Sequence, residues 1–255
     1  MLDRDNFYHQ INPVLPIDAP AMLKACRILE QAEITACNLL LRGSNRVYII
    51  GLDNDGVGIK AVYKPRRGET PLYDFPDGSL YKREYATFLV SQALEWFLVP
   101  PTIIRDGPLG IGSIQWFVDP KDRTDKNSPI EIDMFQLQQV VLFDYLVNNA
   151  DRKAGHFLEG RDGHLWVVDH GLTFNAVPKL RTVIWDFSGQ DIPEKLMSDT
   201  AVLQEKLKTQ PLRGVLYRLL EKPEIKALEL RITKIIENPV FPYPRSYRSV
   251  PWPWI

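Results

Sequence analysis

The sequence predicts an α/β protein in two parts, with a β-rich first half followed by an α-rich second half. Short runs of β-branched and aromatic residues, separated by turn signals, fill the first half. A polar stretch near residues 118–130 marks a change of character, and segments with helical spacing of apolar residues follow it. We therefore expect a first lobe at residues 1–118, a second lobe at 119–238 and a terminal tail at 239–255.

The first lobe is expected to begin with a helix and a three-stranded antiparallel meander. Asp18 and Pro20 are typical of a helix N-terminus, and the apolar residues after them recur at helical spacing. Turn signals then separate three runs rich in strand-forming residues. The meander strands are expected at residues 38–42, 46–52 and 58–64.

A helix at residues 79–96 should follow, and Glu84 is its most informative residue. Glu84 lies three residues after Tyr81 and four before Phe88, so its carboxylate shares the apolar face of the helix. A carboxylate on a buried face needs a cation. Lys64, at the end of the third strand, is a good candidate partner. Two more strands, at residues 102–104 and 113–118, complete the lobe.

The second lobe should be mainly helical. Asp133, with Gln136 three residues later, predicts the start of a long apolar helix that ends at Val147. Two short strands at residues 157–159 and 165–168 flank a turn, and residues 192–238 read as helices broken near Pro211 and Pro223. The tail alternates proline with aromatic residues, so we expect an extended strap on the second lobe. A ligand for a polyproline-binding partner is the alternative for this tail.

Composition excludes several classes of protein. The 255 residues carry 31 Lys and Arg against 32 Asp and Glu, and this balance argues against a dedicated nucleic-acid binder. No apolar run approaches the roughly 18 residues of a membrane span, which predicts no integral membrane association. Asp3, Arg4 and Asp5 are not followed by an apolar stretch, so we expect no secretory signal. Cys26 and Cys37 fit a reducing compartment, and we expect a cytoplasmic protein.

Two aspartates give the strongest functional signal. Asp151 follows the long apolar helix, His156 comes five residues later, and Asp169 precedes a flexible glycine. In a phosphotransfer site one Asp accepts the proton of the attacking hydroxyl, and two other groups hold a divalent metal on the phosphates. A Lys held by a Glu, as Lys64 and Glu84 would be, is a known device for gripping phosphates.

The turn after the first predicted strand is a weaker candidate. Gly43, Ser44 and Asn45 could offer backbone amides and a hydroxyl to phosphate oxygens, although most such tripeptides are plain hairpin turns. The sequence contains no Gly-x-x-x-x-Gly-Lys-Ser/Thr pattern, so a nucleotide site would not be of the Walker type.

Four segments in order, Lys64, Glu84, residues 149–153 and residues 169–172, resemble the atypical kinases related to phosphatidylinositol 3- and 4-kinases and the HipA-like bacterial kinases. The likeness is greatest to a bacterial branch related to phosphatidylinositol kinases, and it covers most of the chain. The resemblance implies a two-lobed protein-kinase-like fold. It also implies a nucleotide phosphate grip by Lys64 anchored on Glu84, a catalytic Asp151 and a metal ligand at Asp169. The hinge that meets adenine would be Gln115, Trp116, Phe117 and Val118.

The resemblance also implies a reaction, namely transfer of the γ-phosphate of ATP, with Mg²⁺ or Mn²⁺, to a hydroxyl of a protein Ser/Thr or a small alcohol. Such kinases usually carry a metal-binding Asn five residues after the catalytic Asp, where this chain has His156. Hard oxygen ligands suit Mg²⁺ better than an imidazole does. The departure favours Mn²⁺ or, as the alternative function, a pseudokinase that binds nucleotide and partners with little turnover.

Two further interpretations concern charged residues. His156, His164 and His170 lie within 15 residues, which allows a zinc hydrolase, but no metalloprotease-type His spacing accompanies them. A modest basic cluster near the expected phosphate end is either a solvated rim or a device that attracts an anionic substrate. It comprises Lys64, Arg66, Arg67, Lys82 and Arg83.

Overall fold

A five-stranded antiparallel sheet forms the first part of the molecule. The computed structural model describes residues 11–40, 45–121 and 131–253. The strand order is β1-β2-β3-β5-β4, so the predicted meander is confirmed. The first strand begins five residues before its predicted start, and residues 41–42 of that prediction lie outside the described residues. The strands are β1 (Glu33–Leu40), β2 (Val47–Asn54), β3 (Val57–Pro65), β4 (Thr102–Gly107) and β5 (Gly110–Trp116).

Helix α1 (Ala19–Gln31) covers one face of this sheet. The Asp18 carboxylate accepts a hydrogen bond from the Ala21 backbone N–H at 2.8 Å, and Pro20 lies in the first turn, as the sequence predicted. Ala25 and Leu29, four residues apart, point into a core that includes Ala61 and Trp116. This packing leaves the opposite face of β3, which carries Lys64, turned away from α1.

Helix α2 (Leu80–Ala93) ends earlier than predicted. Glu95 and Phe97 take left-handed φ angles of +58° and +48°, which a continuing helix does not allow. The apolar side of α2, including Phe88, packs into the helical core of the second part of the molecule. The lobe boundary at residue 118 therefore stays a prediction, because a helix of the first lobe shares the core of the second.

The second part is built on a long apolar helix. The Asp133 carboxylate accepts hydrogen bonds from the backbone N–H groups of Phe135 and Gln136, which fixes the predicted start of this helix. The predicted break near Pro223 is confirmed: Leu220 and Glu221 separate the last two helices, and Pro223 lies in the first turn of the last helix, where a missing N–H costs little. The elements are α3 (Met134–Val147), β6 (Phe157–Glu159), β7 (Leu165–Val167), α4 (Glu194–Lys208), α5 (Leu212–Leu219) and α6 (Lys222–Glu237).

The tail packs against the second part without helical turns at residues 239–244 and then forms a short 3-10 helix at Tyr247–Ser249, which the predicted extended strap did not include. Phe241 is buried and lies next to Phe187, with ring centroids 5.7 Å apart. Its backbone accepts from Gly189 N–H at 3.0 Å and donates to the Gln190 carbonyl at 2.9 Å. Trp254, part of the predicted strap, lies outside the described residues. Within the described ranges, none of the helices has the length and apolar character needed to cross a bilayer.

Candidate active site

Lys64 joins two acidic residues from different parts of the chain. Its Nζ lies 2.5 Å from Glu84 Oε1 and 2.9 Å from Asp169 Oδ1. Glu84 comes from α2, and Asp169 follows β7, 105 residues after Lys64. The structure thus brings together the cation of the sheet, the carboxylate on the apolar helix face and the second of the two aspartates singled out in the sequence.

This cluster keeps Lys64 and Asp169 charged. Burial alone would lower the pKa of Lys64, but the carboxylates of Asp169 and Glu84 outweigh it and raise that pKa above its usual value. The Lys64 ammonium in turn lowers the pKa of Asp169 far below its usual range, against the opposing effect of burial. Asp169 nevertheless keeps 54% of its side chain exposed, so its carboxylate is accessible to a ligand.

Glu84 connects the sheet to the backbone beside Asp169. Its Oε2 accepts the His170 N–H at 3.1 Å while its Oε1 holds Lys64. Asp169 itself has a left-handed φ of +64°, which is unusual for a residue with a side chain. The buried Glu84 therefore fixes both the Lys64 ammonium and the strained turn that presents Asp169.

Asp151 is presented by the turn that ends α3. Asn148 adopts a left-handed φ of +52°, and the Asn149 side chain accepts the Asp151 N–H at 3.0 Å. The Asp151 carboxylate lies 3.3 Å from Lys153 Nζ. Burial raises the pKa of Asp151 despite this lysine, and the charge of Asp169 raises it further. Asp151 therefore takes up a proton more readily than an ordinary aspartate does.

His156 faces Asp169, with its Nε2 3.4 Å from Asp169 Oδ2. Burial lowers the pKa of His156 to about 4, so its imidazole is neutral near pH 7 and can donate a lone pair to a metal. One imidazole beside one carboxylate departs from the oxygen ligands that Mg²⁺ prefers. Among the described residues no group of three or more His, Cys, Asp or Glu is arranged to hold a metal, so other ligands would have to come from phosphate and water.

A buried network that sequence reasoning missed lies directly behind these residues. The Arg152 guanidinium donates to both carboxylate oxygens of Asp144, at 2.8 and 2.9 Å, and to the Val168 carbonyl at 3.0 Å. Its Nη2 also lies 2.7 Å from His170 Nε2. The network ties α3 to the residues on either side of Asp169. Its signal in the sequence was a carboxylate within the apolar α3, the pattern that identified Glu84.

Only some of the residues expected to bind nucleotide lie within the part of the chain that the structure describes. Gly43 and Ser44 lie outside the described residues, and Asn45 accepts the Thr70 N–H at 2.8 Å. Gln115 is buried in β5, where its amide donates to Thr102 at 2.9 Å, and Trp116 belongs to the core under α1. Phe117 and Val118 follow β5 as irregular backbone.

Asn12 forms hydrogen bonds with the segment that is predicted to meet adenine, residues 115–118. The Asn12 side-chain amide donates to the carbonyls of Lys60 and Phe117, at 2.8 and 2.9 Å, and accepts the Lys60 N–H at 2.7 Å. Asp119 accepts the Asn12 N–H at 2.6 Å and pairs with the Lys60 ammonium at 2.7 Å. Asn12 thus occupies the place of a ladder bond between β3 and the segment after β5.

The basic cluster requires a correction. Arg83 is not part of a solvated rim: it is 1% exposed, and its guanidinium binds Glu224 at 2.5 Å and the Thr173 carbonyl at 2.6 Å. Of the histidines, His164 pairs with the Phe97 carbonyl and His170 with Arg152, so His156 alone faces Asp169. The described residues therefore offer no three-histidine zinc site.

A cavity of about 630 Å³ lies beside the site, between the segment after β3 and the β4–β5 hairpin. Its lining includes Arg66, Phe75 and Leu80, but not Lys64 or Asp169. It is therefore a neighbour of the charged cluster and not the space that the cluster encloses.

Comparison with known proteins gives one relative and a common fold. No family model matches the chain. The chain is 36% identical over 261 residues to Protein Rv2133c of Mycobacterium tuberculosis, which covers 89% of this chain and 94% of the relative.

Among solved structures, hydra Fam20 with sugar matches with a TM-score of 0.53 at 14% identity, over 91% of this chain and 93% of that one. The Golgi casein kinase with Mn and ADP bound matches with a TM-score of 0.49 at 16% identity, over 86% and 75%. The predicted two-lobed, kinase-like α/β fold is confirmed. The finer likeness to phosphatidylinositol kinases and HipA-like kinases stays a prediction.

Proposed function

The chain belongs to the family of Protein Rv2133c from Mycobacterium tuberculosis, and we propose that this member is an ATP- and divalent-metal-dependent phosphotransferase. It moves the γ-phosphate to a hydroxyl of a protein Ser/Thr or a small alcohol. The observation that carries this proposal is the position of the Lys64 ammonium between Glu84 and the accessible Asp169. A cation held by a buried carboxylate next to an exposed carboxylate suits the grip of a metal-bound triphosphate.

Each side chain has a distinct role in the proposed reaction. Lys64 binds phosphate oxygens, and Glu84 holds Lys64 in place. Asp169 and His156 would hold the divalent ion, which neutralises charge on the phosphates when bound. Residues 115–118 would meet the adenine of ATP. The protein thus contributes mainly positioning and electrostatic stabilisation.

Asp151 acts as the proton acceptor. As the acceptor oxygen bonds to the γ-phosphorus, its hydrogen passes to the Asp151 carboxylate, the bond from the γ-phosphorus to the bridging oxygen breaks, and ADP leaves. Burial raises the pKa of Asp151, which favours proton uptake. Because the carboxylate must be ionised to act, turnover should fall as the pH drops through this raised pKa.

The test is phosphate transfer from labelled ATP with Mg²⁺ and with Mn²⁺ by the wild type, Asp151→Ala and Asp169→Ala. We expect both variants to lose most of the activity, and Asp169→Ala also to lose metal-dependent nucleotide binding. Equal turnover in all three proteins would refute the enzymatic proposal.

A second candidate, a pseudokinase that binds nucleotide and partners, is favoured by one observation. His156 stands where the resemblance expects Asn, and it already contacts Asp169. This candidate predicts that ATP raises the melting temperature without phosphate transfer, and that His156→Asn increases Mg²⁺-dependent binding. No thermal stabilisation by ATP with either metal would exclude both candidates.

A further inference from the structure

A second, smaller cavity of about 80 Å³ lies in the second part of the molecule. Tyr145 of α3, Leu230 of α6, Pro178 and the tail residue Pro242 contribute to its walls. None of these residues belongs to the Lys64 cluster. The cavity therefore has its own surroundings, separate from the proposed phosphotransfer site.

Arg231 of α6 is among the residues that line this cavity, and its guanidinium is only partly satisfied. The residue is 7% exposed, and its Nε donates to the Leu146 carbonyl at 2.8 Å. Its Nη2 is buried and has no hydrogen-bond partner. A buried charged donor without a protein acceptor is costly, so an oxygen atom from a ligand or a water would stabilise it.

The charged residues that line the cavity in the described part of the chain are all basic. Lys234 and Arg245 join Arg231 in its lining, and none of its lining residues in the described part of the chain is acidic. In those same residues, no acidic side chain forms an ion pair with any of the three cations. Burial lowers the pKa of Arg231 only to about 10, so it remains charged near neutral pH. Three cations that form no ion pair within the described residues would attract an anion into this apolar space.

We propose that this cavity is an oxyanion-binding site, which takes a carboxylate or a phosphate carried on an apolar or aromatic group. A guanidinium offers parallel N–H groups that match such oxyanions. A volume of about 80 Å³ holds several waters, and hence one oxyanion, but is too small for a nucleotide. Trp185 and Leu230 supply apolar wall for the rest of the ligand.

The site lies next to the loop that carries Asp151. Its wall residue Leu180 precedes Arg181, whose N–H donates to the Asn149 carbonyl and whose carbonyl accepts the Arg152 N–H, at 2.9 and 3.0 Å. A bound oxyanion would therefore contact the segment that pairs with this loop. The binding proposal goes beyond phosphotransfer and does not depend on it.

The test is isothermal titration of the full chain with phenyl phosphate, benzoate and the uncharged benzyl alcohol. We expect binding of at least one of the two anions and none of the alcohol, and the better anion identifies the oxyanion. Lys234→Met/Arg245→Met should weaken binding about tenfold, because it removes two cations from the lining. The control Lys226→Met, on the exposed side of α6, should bind like the wild type.

Lys64→Met separates this cavity from the proposed nucleotide site, since it should leave anion binding unchanged. Arg231→Met should abolish binding. If that variant does not fold, because the Leu146 carbonyl loses its donor, the double variant decides instead. The proposal is overturned if neither anion binds, if the alcohol binds equally well, or if Lys64→Met loses binding that the double variant keeps.

Discussion

Asp144 and Asp151 lie seven residues apart and differ in their exposure and in the number of hydrogen bonds that their carboxylates accept. Asp144 is 1% exposed and accepts three side-chain hydrogen bonds at 2.8 to 2.9 Å, two from Arg152 and one from Asn149. Asp151 is 28% exposed, and its carboxylate has Lys153 at 3.3 Å. The fold supplies the buried carboxylate of Asp144 with three hydrogen-bond donors, whereas burial raises the pKa of Asp151. A satisfied buried acid holds the structure, whereas an unsatisfied one retains the capacity to take a proton.

The largest expected effect is on activity, in Asp151→Asn. An amide cannot accept the proton of the attacking hydroxyl, so we expect kcat to fall about 10²- to 10⁴-fold, the usual contribution of a positioned base. Stability should stay equal or rise, because the variant removes a charge that burial disfavours. Phosphate transfer and thermal unfolding of the same preparation measure both quantities. Retained activity, or a large fall in Tm, would contradict the claim that Asp151 serves the reaction and not the stability of the fold.

The opposite pattern is expected for Asp144→Asn. The variant leaves the buried Arg152 guanidinium without its counter-charge, which should lower the free energy of unfolding by about 3–5 kcal/mol. In a chain of this length, that loss corresponds to a fall in Tm of about 6–20 °C. Urea unfolding of Asp144→Asn beside Asp186→Asn, an exposed aspartate of the second part, provides the measurement and its control. Equal stability of the two variants would contradict the structural role of Asp144.

Of these two aspartates, the sequence singled out Asp151 and not Asp144. Turn signals between strand-forming runs predicted the meander, and an N-cap signal followed by an apolar run predicted α3, which is buried on nearly all sides in its second half. Glu84 and Lys64 were paired because a carboxylate on an apolar helix face requires a cation. The same argument applies to Asp144 in α3 and would have indicated a buried cation near it, although not that the cation is Arg152.

Two pairs of partners that lie far apart in the chain left no pattern in the sequence. Arg83 binds Glu224, 141 residues later, and Asn12 binds Phe117, 105 residues later. An arginine beside a helical glutamate has the same local pattern whether it is exposed or buried, so Arg83 was wrongly included in an exposed basic cluster. Only the packing of α2 against the second part decides its environment.

Asn12→Ala tests whether satisfied polar groups stabilise the fold at the hinge as they do at Asp144. The substitution removes the amide that accepts the Lys60 N–H at a buried position and donates to the Phe117 carbonyl at a partly buried one. We expect a loss of about 1–3 kcal/mol, the cost of leaving buried backbone groups unpaired. Urea unfolding measures it, with Asn54→Ala at the end of β2 as a partly exposed control. If Asn12→Ala lowers the free energy of unfolding no more than the control does, the hydrogen bonds of Asn12 do not stabilise the fold as expected.

The smallest effect on stability is expected for an exposed ion pair on α4. Its two charged groups lie closer together than Asp151 and Lys153 do, but they are far more exposed. Glu205 and Lys208 on α4 lie 2.7 Å apart, and their side chains are 69% and 60% exposed. Water screens such a pair, and ordering two long side chains offsets most of the attraction. Glu205→Ala should therefore change the free energy of unfolding by about 0.5 kcal/mol or less, measured by urea unfolding beside Asp144→Asn. If Glu205→Ala costs as much as Asp144→Asn, exposure does not decide which charges stabilise this fold, and the distinction between Asp144 and Asp151 loses its physical basis.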